Sequence, residues 1–264
     1  MYQLAIFDLD GTLLDTLADL HAGVNHALAA FGYAPRTLDE VRTFVGNGAQ
    51  KLIARAVPAG TSQAQQDTVL AEFQTYYGAH CADLTKPYDG ILPLLAQLQK
   101  DGVQTAVVSN KPDFAVQTLA AQYFPGLFAA SAGAKDGVRK KPYPDAVLAV
   151  VAQLHAEGKR AVYIGDSEVD VATARNAQLP CIAVPTLEVF CHAQAAKHAH
   201  TRAQGAQDEA VRAIGGGAQV VCGIINARRG QVYGIVDGYL PGGPYMLTDV
   251  LDVITQQVRP DGRP

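Results

Sequence analysis

The sequence predicts an α/β fold, a doubly wound and mostly parallel sheet carrying an inserted all-helical cap. Three observations predict it. Short apolar runs alternate with helical periods between residues 85 and 184, the pattern of βα units whose parallel strands are covered by helices on both faces. One earlier apolar run, at residues 4–7, is followed by consecutive helical periods that fill residues 16–84 with no strand between them. Acidic, hydroxyl or basic clusters punctuate the series after strands or before helices, and the carboxyl edge is where open α/β sheets bind ligands. The expected division is therefore a core of residues 1–15 and 85–184, a helical cap of 16–84 and a C-terminal extension of 185–264.

The first strand, Leu4-Ala-Ile-Phe7, stops abruptly at Asp8 and Asp10, with Gly11 and Thr12 behind them. Two carboxylates so close repel each other unless a cation lies between them, which points to a divalent metal with oxygen ligands, Mg²⁺. Gly11 permits a sharp turn, and Thr12 brings a hydroxyl into the loop. Alone, Asp-x-Asp-Gly reads more readily as an Asx-rich turn.

Leu17, Leu20, Val24, Leu28 and Phe31 recur at helical spacing and predict a helix over 16–31, closed by Gly32. Thr37-Leu-Asp-Glu40 is a capping-box pattern that opens a helix over 37–45. A third helix, 49–57, follows Gly46-Asn-Gly48, and a fourth, 63–79, carries Val69, Leu70, Phe73, Tyr76 and Tyr77. From the turn Pro87-Tyr-Asp-Gly90 onward, helices at 91–100, 113–122, 143–155 and 169–176 alternate with strands at 103–109, 127–131, 161–164 and 181–184.

Three more polar clusters interrupt this alternation. Ser109-Asn-Lys111 ends one strand, and Arg139-Lys-Lys-Pro142 precedes a helix in whose first turn Pro142 would fit. Gly165-Asp-Ser-Glu-Val-Asp170 sets two more carboxylates four residues apart at a strand end. Singly, the first is also a helix cap and the second a solvated turn. Together they supply what phosphoryl transfer needs: a nucleophile, a metal site, anion donors and a neutralising cation.

With Asp8-Leu-Asp-Gly-Thr12, Ser109 with Asn110, Lys141 before Pro142, and Gly165-Asp166 with Asp170, residues 1–184 resemble the haloacid dehalogenase superfamily of phosphohydrolases. The helical insertion and the wording Val-Ser-Asn-Lys and Gly-Asp-Ser-Glu-Val-Asp are most similar to the phosphoglycolate phosphatases. The resemblance implies that Asp8 attacks phosphorus and becomes an aspartyl phosphate, while Asp10 protonates the leaving oxygen and then deprotonates water. It implies further that Asp8, the backbone carbonyl of Asp10 and Asp166 hold Mg²⁺, with Asp170 behind them. Thr12, Ser109 and Asn110 would donate to the phosphoryl oxygens, and Lys141, rather than the neighbouring Lys140, would offset their charge. Arg42 and Gly46-Asn-Gly48 are the cap residues closest in character to an anion-facing loop, although a helix-linking turn is the simpler reading.

Composition agrees with a compact enzyme. Of 264 residues, 48% are hydrophobic and 17% charged, ordinary globular usage. A formal net charge of −4 gives no global attraction to nucleic acid or an anionic membrane, so affinity for phosphate must be local. Cys81, Cys181, Cys191 and Cys222 are too scattered for a disulfide framework and are expected as reduced thiols. No basic-then-apolar leader and no apolar run near the ~20 residues of a membrane span occurs, so a cytoplasmic location is expected.

Beyond residue 184 the family pattern stops. Residues 191–219 are dominated by Ala, His, Gln, Arg and Gly. No metal-site spacing connects His192, His198 and His200, and Gly215-Gly-Gly217 lacks the Lys-Ser/Thr of a phosphate loop. Residues 218–227 and 231–236 predict a hairpin and 248–258 a helix, pieces that would complete the sheet, while 185–217 is expected to be irregular. The functional expectation is a Mg²⁺-dependent phosphomonoesterase for a small phosphorylated metabolite, with 2-phosphoglycolate implied by the resemblance. A pyrophosphatase, a sugar or nucleotide phosphatase and a phosphomutase share these motifs, whereas a dehalogenase has no use for the acid Asp10. An inactive phosphate-binding protein is the alternative of another class. Oligomeric state is not legible.

Overall fold

The structure, a computed structural model, describes residues 2–184 and three later strands, Val220–Asn226, Gln231–Val236 and Gly243–Met246. Its centre is β1 (Leu4–Phe7), which runs parallel to β4 (Gln104–Pro112) on one side and β6 (Ala161–Gly165) on the other. Because side chains alternate along a strand, Leu4 and Ile6 enter a core with Ala106, Val108 and Tyr163, while Ala5 and Phe7 enter another with Val107, Val162 and Ile164. A strand buried on both faces reads as an unbroken apolar run, as this one does.

Outside this trio lie β5 (Ala130–Ala134), parallel to β4, and β7 (Cys181–Ala183), parallel to β6. The later strands β8 (Val220–Asn226), β9 (Gln231–Val236) and β10 (Gly243–Met246) continue the sheet, in the order β10-β9-β8-β7-β6-β1-β4-β5. β8 joins β7 in parallel, and the expected hairpin is formed by β8 and β9, with β10 antiparallel to β9. Without them β7 would present an open row of backbone donors and acceptors. Residues 185–217, the expected helix over 248–258 and His192, His198 and His200 lie outside the described residues.

Four helices, α1 (Leu17–Ala30), α2 (Leu38–Phe44), α3 (Ala49–Ala56) and α4 (Gln63–His80), form the inserted helical cap. They leave and re-enter the core through a two-residue ribbon, β2 (Leu14–Asp15) paired antiparallel with β3 (Lys86–Pro87), too short for sequence periodicity to reveal. The capping box expected at α2 is present: Glu40 N donates to Thr37 Oγ1 at 3.2 Å, and Thr37 N donates to Glu40 Oε2 at 2.7 Å. Asp19, in the first turn of α1, is buried and accepts from the backbone N–H of Leu84 at 3.0 Å and of Thr85 at 2.8 Å. A buried carboxylate needs such donors, and here they fasten the chain returning from the cap to its outgoing helix.

Helices α5 (Ile91–Lys100), α6 (Asp113–Tyr123), α7 (Asp145–Gln153) and α8 (Glu168–Asn176) cover the sheet. Three boundaries differ from expectation. β4 continues through Ser109, Asn110 and Lys111 to Pro112, because Pro112 still pairs with Ala134 after an irregularity in the ladder. β5 begins at Ala130 rather than at the apolar pair Leu127-Phe128, which packs against the core while the smaller residues take the pairing. α7 begins at Asp145, so Pro142 lies ahead of the helix and not in its first turn. Among the described residues no helix is long and apolar enough to cross a membrane.

Candidate active site

The carboxyl ends of β1, β4 and β6 converge on one cavity of about 390 Å³, walled on the far side by the cap. Asp8, Asp10, Ser109, Asn110 and Asp166 line it from the core, and Arg42, Gly46, Gly48, Phe73 and Tyr77 from the cap. All eight residues singled out in the sequence for phosphate chemistry lie in this neighbourhood.

Three carboxylates dominate the electrostatics. Asp8, Asp166 and Asp170 can each place an oxygen within 4.8 Å of the others. Lys141 reaches two of them, with Nζ 2.9 Å from Asp8 Oδ1 and 2.7 Å from Asp170 Oδ1. One ammonium among three carboxylates leaves an excess of negative charge. Burial above all, then the Asp170 charge, pushes the Asp8 carboxyl up to about 7 against the pull of Lys141. Burial, followed by the charges of Asp8 and Asp170, likewise raises Asp166 well above the usual carboxylate range. For Lys141, burial alone would lower the pKa, but Asp8, Tyr163 and Asp170 together raise it well above the ordinary lysine value.

The spacing is possible only because two glycines stand beside the acids. A Cβ on Gly11, whose φ is +81°, would lie 2.3 Å from Asp166 Oδ2, and one on Gly165 would lie 2.3 Å from Asp170 Cγ. Any side chain there would displace a carboxylate.

Asp170 differs from the other two acids. Its Oδ1 accepts from Lys141 and from Tyr163 Oη at 3.1 Å, and its Oδ2 from Ser167 N at 3.1 Å and Ser167 Oγ at 2.5 Å. Its backbone N–H donates to Ser167 Oγ in return, so Asp170 is both the capping-box acid of α8 and the anchor of Lys141. Asp8 Oδ1, by contrast, is buried in an ion pair with no aligned hydrogen bond. A hard divalent cation suits such an oxygen beside Asp166, and Mg²⁺ fits this all-oxygen donor set.

Other side chains are already partnered. Thr12 Oγ1 donates to Asp166 Oδ1 at 3.1 Å, which orients that carboxylate rather than facing the cavity with a free proton. Asn110 holds the main chain of Lys141 in both directions, accepting from Lys141 N at 2.8 Å and donating to Lys141 O at 3.1 Å. Its amide also donates to Gly46 O of the cap at 3.3 Å, so one side chain links the cap loop to the Lys141 loop. Ser109 is buried on the same strand and lines the cavity.

Lys111 was placed by the sequence in a polar cluster but given no role there. Lys111, buried on β4, donates to Asp10 Oδ1 at 2.8 Å and to Oδ2 at 3.1 Å, and lies 4.9 Å from the centre of the Tyr77 ring. Thr16 Oγ1 donates to Asp10 Oδ1 at 2.7 Å from the other side. Burial alone would lower the Lys111 pKa, but Asp10 and then Tyr77 raise it above the ordinary value. The available signal was a lysine that closes the polar end of a buried strand, Val-Val-Ser-Asn-Lys.

The description of haloacid dehalogenase-like hydrolases fits residues 5–184 as a family match. The chain belongs to this family. Its relatives include the phosphoglycolate phosphatase of Pseudomonas putida, 38% identical over 186 residues that make up 68% of each protein. The phosphoglycolate phosphatase of Agrobacterium fabrum is 37% identical over 69% of this chain and 79% of its own. Among solved structures, one from Lactobacillus delbrueckii subsp. bulgaricus, assigned by inference to the same activity, superimposes with a TM-score of 0.65 at 39% identity. That match covers 69% of this chain and 86% of the other. The CbbY protein of Rhodobacter sphaeroides, solved with phosphate, gives a TM-score of 0.60 at 25% identity over 70% of this chain and 87% of its own. The family match ends at residue 184, so β8 to β10 extend a family core with strands from outside the matched segment.

Proposed function

We propose that this hydrolase is a Mg²⁺-dependent phosphatase of small phosphorylated metabolites, with 2-phosphoglycolate as its substrate, working through an aspartyl phosphate. The observation that carries the proposal is Asp8: a buried nucleophile candidate at the end of the central strand, facing a cavity sized for a small molecule, with Asp166 beside it and Lys141 against it. The names of the relatives favour the substrate.

In this reading Asp8 attacks phosphorus, a P–O bond to its carboxylate forms, and the bond to the leaving oxygen breaks. Asp10 gives its proton to that oxygen, then takes one from the water that cleaves the aspartyl phosphate, which returns Asp8 and releases phosphate. Lys141 offsets the charge that gathers on Asp8 and the phosphoryl oxygens, and Asp170, Tyr163 and Asn110 keep it in place. Ser109 donates to the phosphoryl group. Thr12 serves through Asp166, and Asn110 through Lys141. Lys111 and Thr16 fix the orientation of the Asp10 side chain. Mg²⁺ would be held by Asp8, Asp166 and the backbone carbonyl of Asp10, where it supplies charge neutralisation and polarises the phosphoryl group. The cap, residues 16–84, closes the cavity and presents Arg42 as its cation.

The test is turnover of 2-phosphoglycolate and of an aryl phosphate with Mg²⁺, for the natural chain and for Asp8→Asn. An amide is a poor nucleophile, so Asp8→Asn should lose several orders of magnitude, on the order of 10³-fold or more, while remaining folded. Retention of more than about a tenth of the rate, ~1.4 kcal/mol, would reject Asp8 as nucleophile. Phosphate binding with no metal-dependent turnover would mark an inactive binding protein.

A further inference from the structure

Among the described residues the cap contributes one buried polar atom to the cavity wall that lacks an aligned hydrogen bond. Tyr77, on α4, is 1% exposed, and among the described residues its hydroxyl proton has no acceptor. The ring is fixed by stacking on Phe73 at 5.1 Å between centroids and lies under the Lys111 ammonium. Lys111 can only donate, so it cannot take the phenolic proton. The Asp10 oxygens are occupied by Lys111 and Thr16. Burial pushes the phenol above its ordinary pKa, so it stays a donor.

A buried hydroxyl without an acceptor carries its full desolvation cost until a ligand brings one. The acceptor must come from the leaving-group side. Asp10, which serves the leaving oxygen in the proposed mechanism, is joined through Lys111 to the Tyr77 ring. Substrate atoms just beyond the ester oxygen therefore come up against Tyr77. The cap wall of the cavity includes the apolar Leu52 and Phe73, and among the described residues its one charged side chain is the cation Arg42. Among the described residues the partner of Arg42 is the exposed side chain of Asp39, an ion pair of small worth. A neutral hydroxyl donor beside the Lys111 ammonium, in a cavity whose cap wall carries the cation Arg42, favours a carboxylate over an alkyl or aryl group.

We propose that Tyr77 is a specificity-determining residue whose hydroxyl donates to the carboxylate of a short phosphoryloxy acid held in this cavity. The proposal rests on the phosphatase reading above and defines its substrate class: phosphate esters with an acid group one carbon from the ester oxygen. It also carries a stability signature, because removing an unpartnered buried hydroxyl leaves no broken bond behind.

The experiment compares 2-phosphoglycolate with ethyl phosphate, in which a methyl replaces the carboxylate, for the natural chain and for Tyr77→Phe, with Mg²⁺ throughout. The ratio of kcat/KM for the two esters should fall by about 10- to 100-fold in Tyr77→Phe, while its urea midpoint stays level or rises. An unchanged ratio would overturn the proposal, as would a lowered midpoint, which would mean that the hydroxyl has a partner inside the fold. If the natural chain cleaves ethyl phosphate as well as 2-phosphoglycolate, the acid-binding role of Tyr77 fails while the phosphatase reading stands. Turnover of neither ester, nor of an aryl phosphate, would overturn both.

Discussion

The burial of Asp8, and then the Asp170 charge beside it, should make the metal-free protein lose stability as pH rises toward neutrality. A free aspartate ionises near 3.8, and in the fold Asp8 is pushed up to about 7. The folded state therefore holds the proton more tightly than the unfolded one. Its stabilising effect is fully present below the unfolded value and is lost as pH rises through the folded value. A difference of about three pH units at ~1.4 kcal/mol each gives a ceiling of about 4 kcal/mol for Asp8 alone. Across about pH 5 to 7 the slope should approach ~1.4 kcal/mol per unit. Asp166 is shifted in the same direction and adds to the trend. Urea unfolding at several pH values, with a chelator present, measures this slope. Asp8→Asn is the control: a neutral isostere at the same site should flatten the profile by about one proton and exceed the natural chain in stability near about pH 8. Added Mg²⁺ should restore the natural chain most at the alkaline end, since it competes with the proton for Asp8. Parallel profiles for the two proteins, or equal stabilisation of both by Mg²⁺, would refute the reasoning.

Further predictions come from neighbouring contacts. Asp10→Asn should slow alkyl phosphates more than aryl phosphates, whose leaving groups need less protonation; equal losses in steady-state rates would remove the acid role. Asn110→Ala leaves the buried main-chain groups of Lys141 and the cap's Gly46 carbonyl without their partner. It should cost about 1–3 kcal/mol in urea unfolding and speed amide exchange around residues 46–49. Asp19→Ala removes the acceptor of the Leu84 and Thr85 amides, with an expected cost of about 1–3 kcal/mol and earlier proteolysis at the cap junction.

Much of the site was legible in the sequence because its acids interrupt apolar runs. Asp8 and Asp166 follow buried strands at the edge where α/β sheets bind ligands, so strand assignment located them. The cap was legible because four helical periods follow one another without a strand. The start of β5 was not, since the apolar run before it packs in a connection and the ladder selects smaller residues. Lys111 escaped because a lysine after an apolar run gives no sign of which carboxylate it meets.

The sequence by itself determined the fold class, the family and the identity of the acids, for these depend on local periodicity and on residue types at strand ends. Partnerships were decided only by the tertiary structure. Thr12 meets Asp166 across 154 positions and Lys111 meets Asp10 across 101, contacts that exist only once parallel strands are laid side by side. The hydroxyl of Tyr77, whose proton meets no acceptor among the described residues, is a fact of the same kind. Its ring was legible as a helix-face residue, but whether the oxygen found an acceptor depended on how the cap settled over the sheet, because a hydrogen bond is decided by tenths of an ångström that no spacing along the chain encodes.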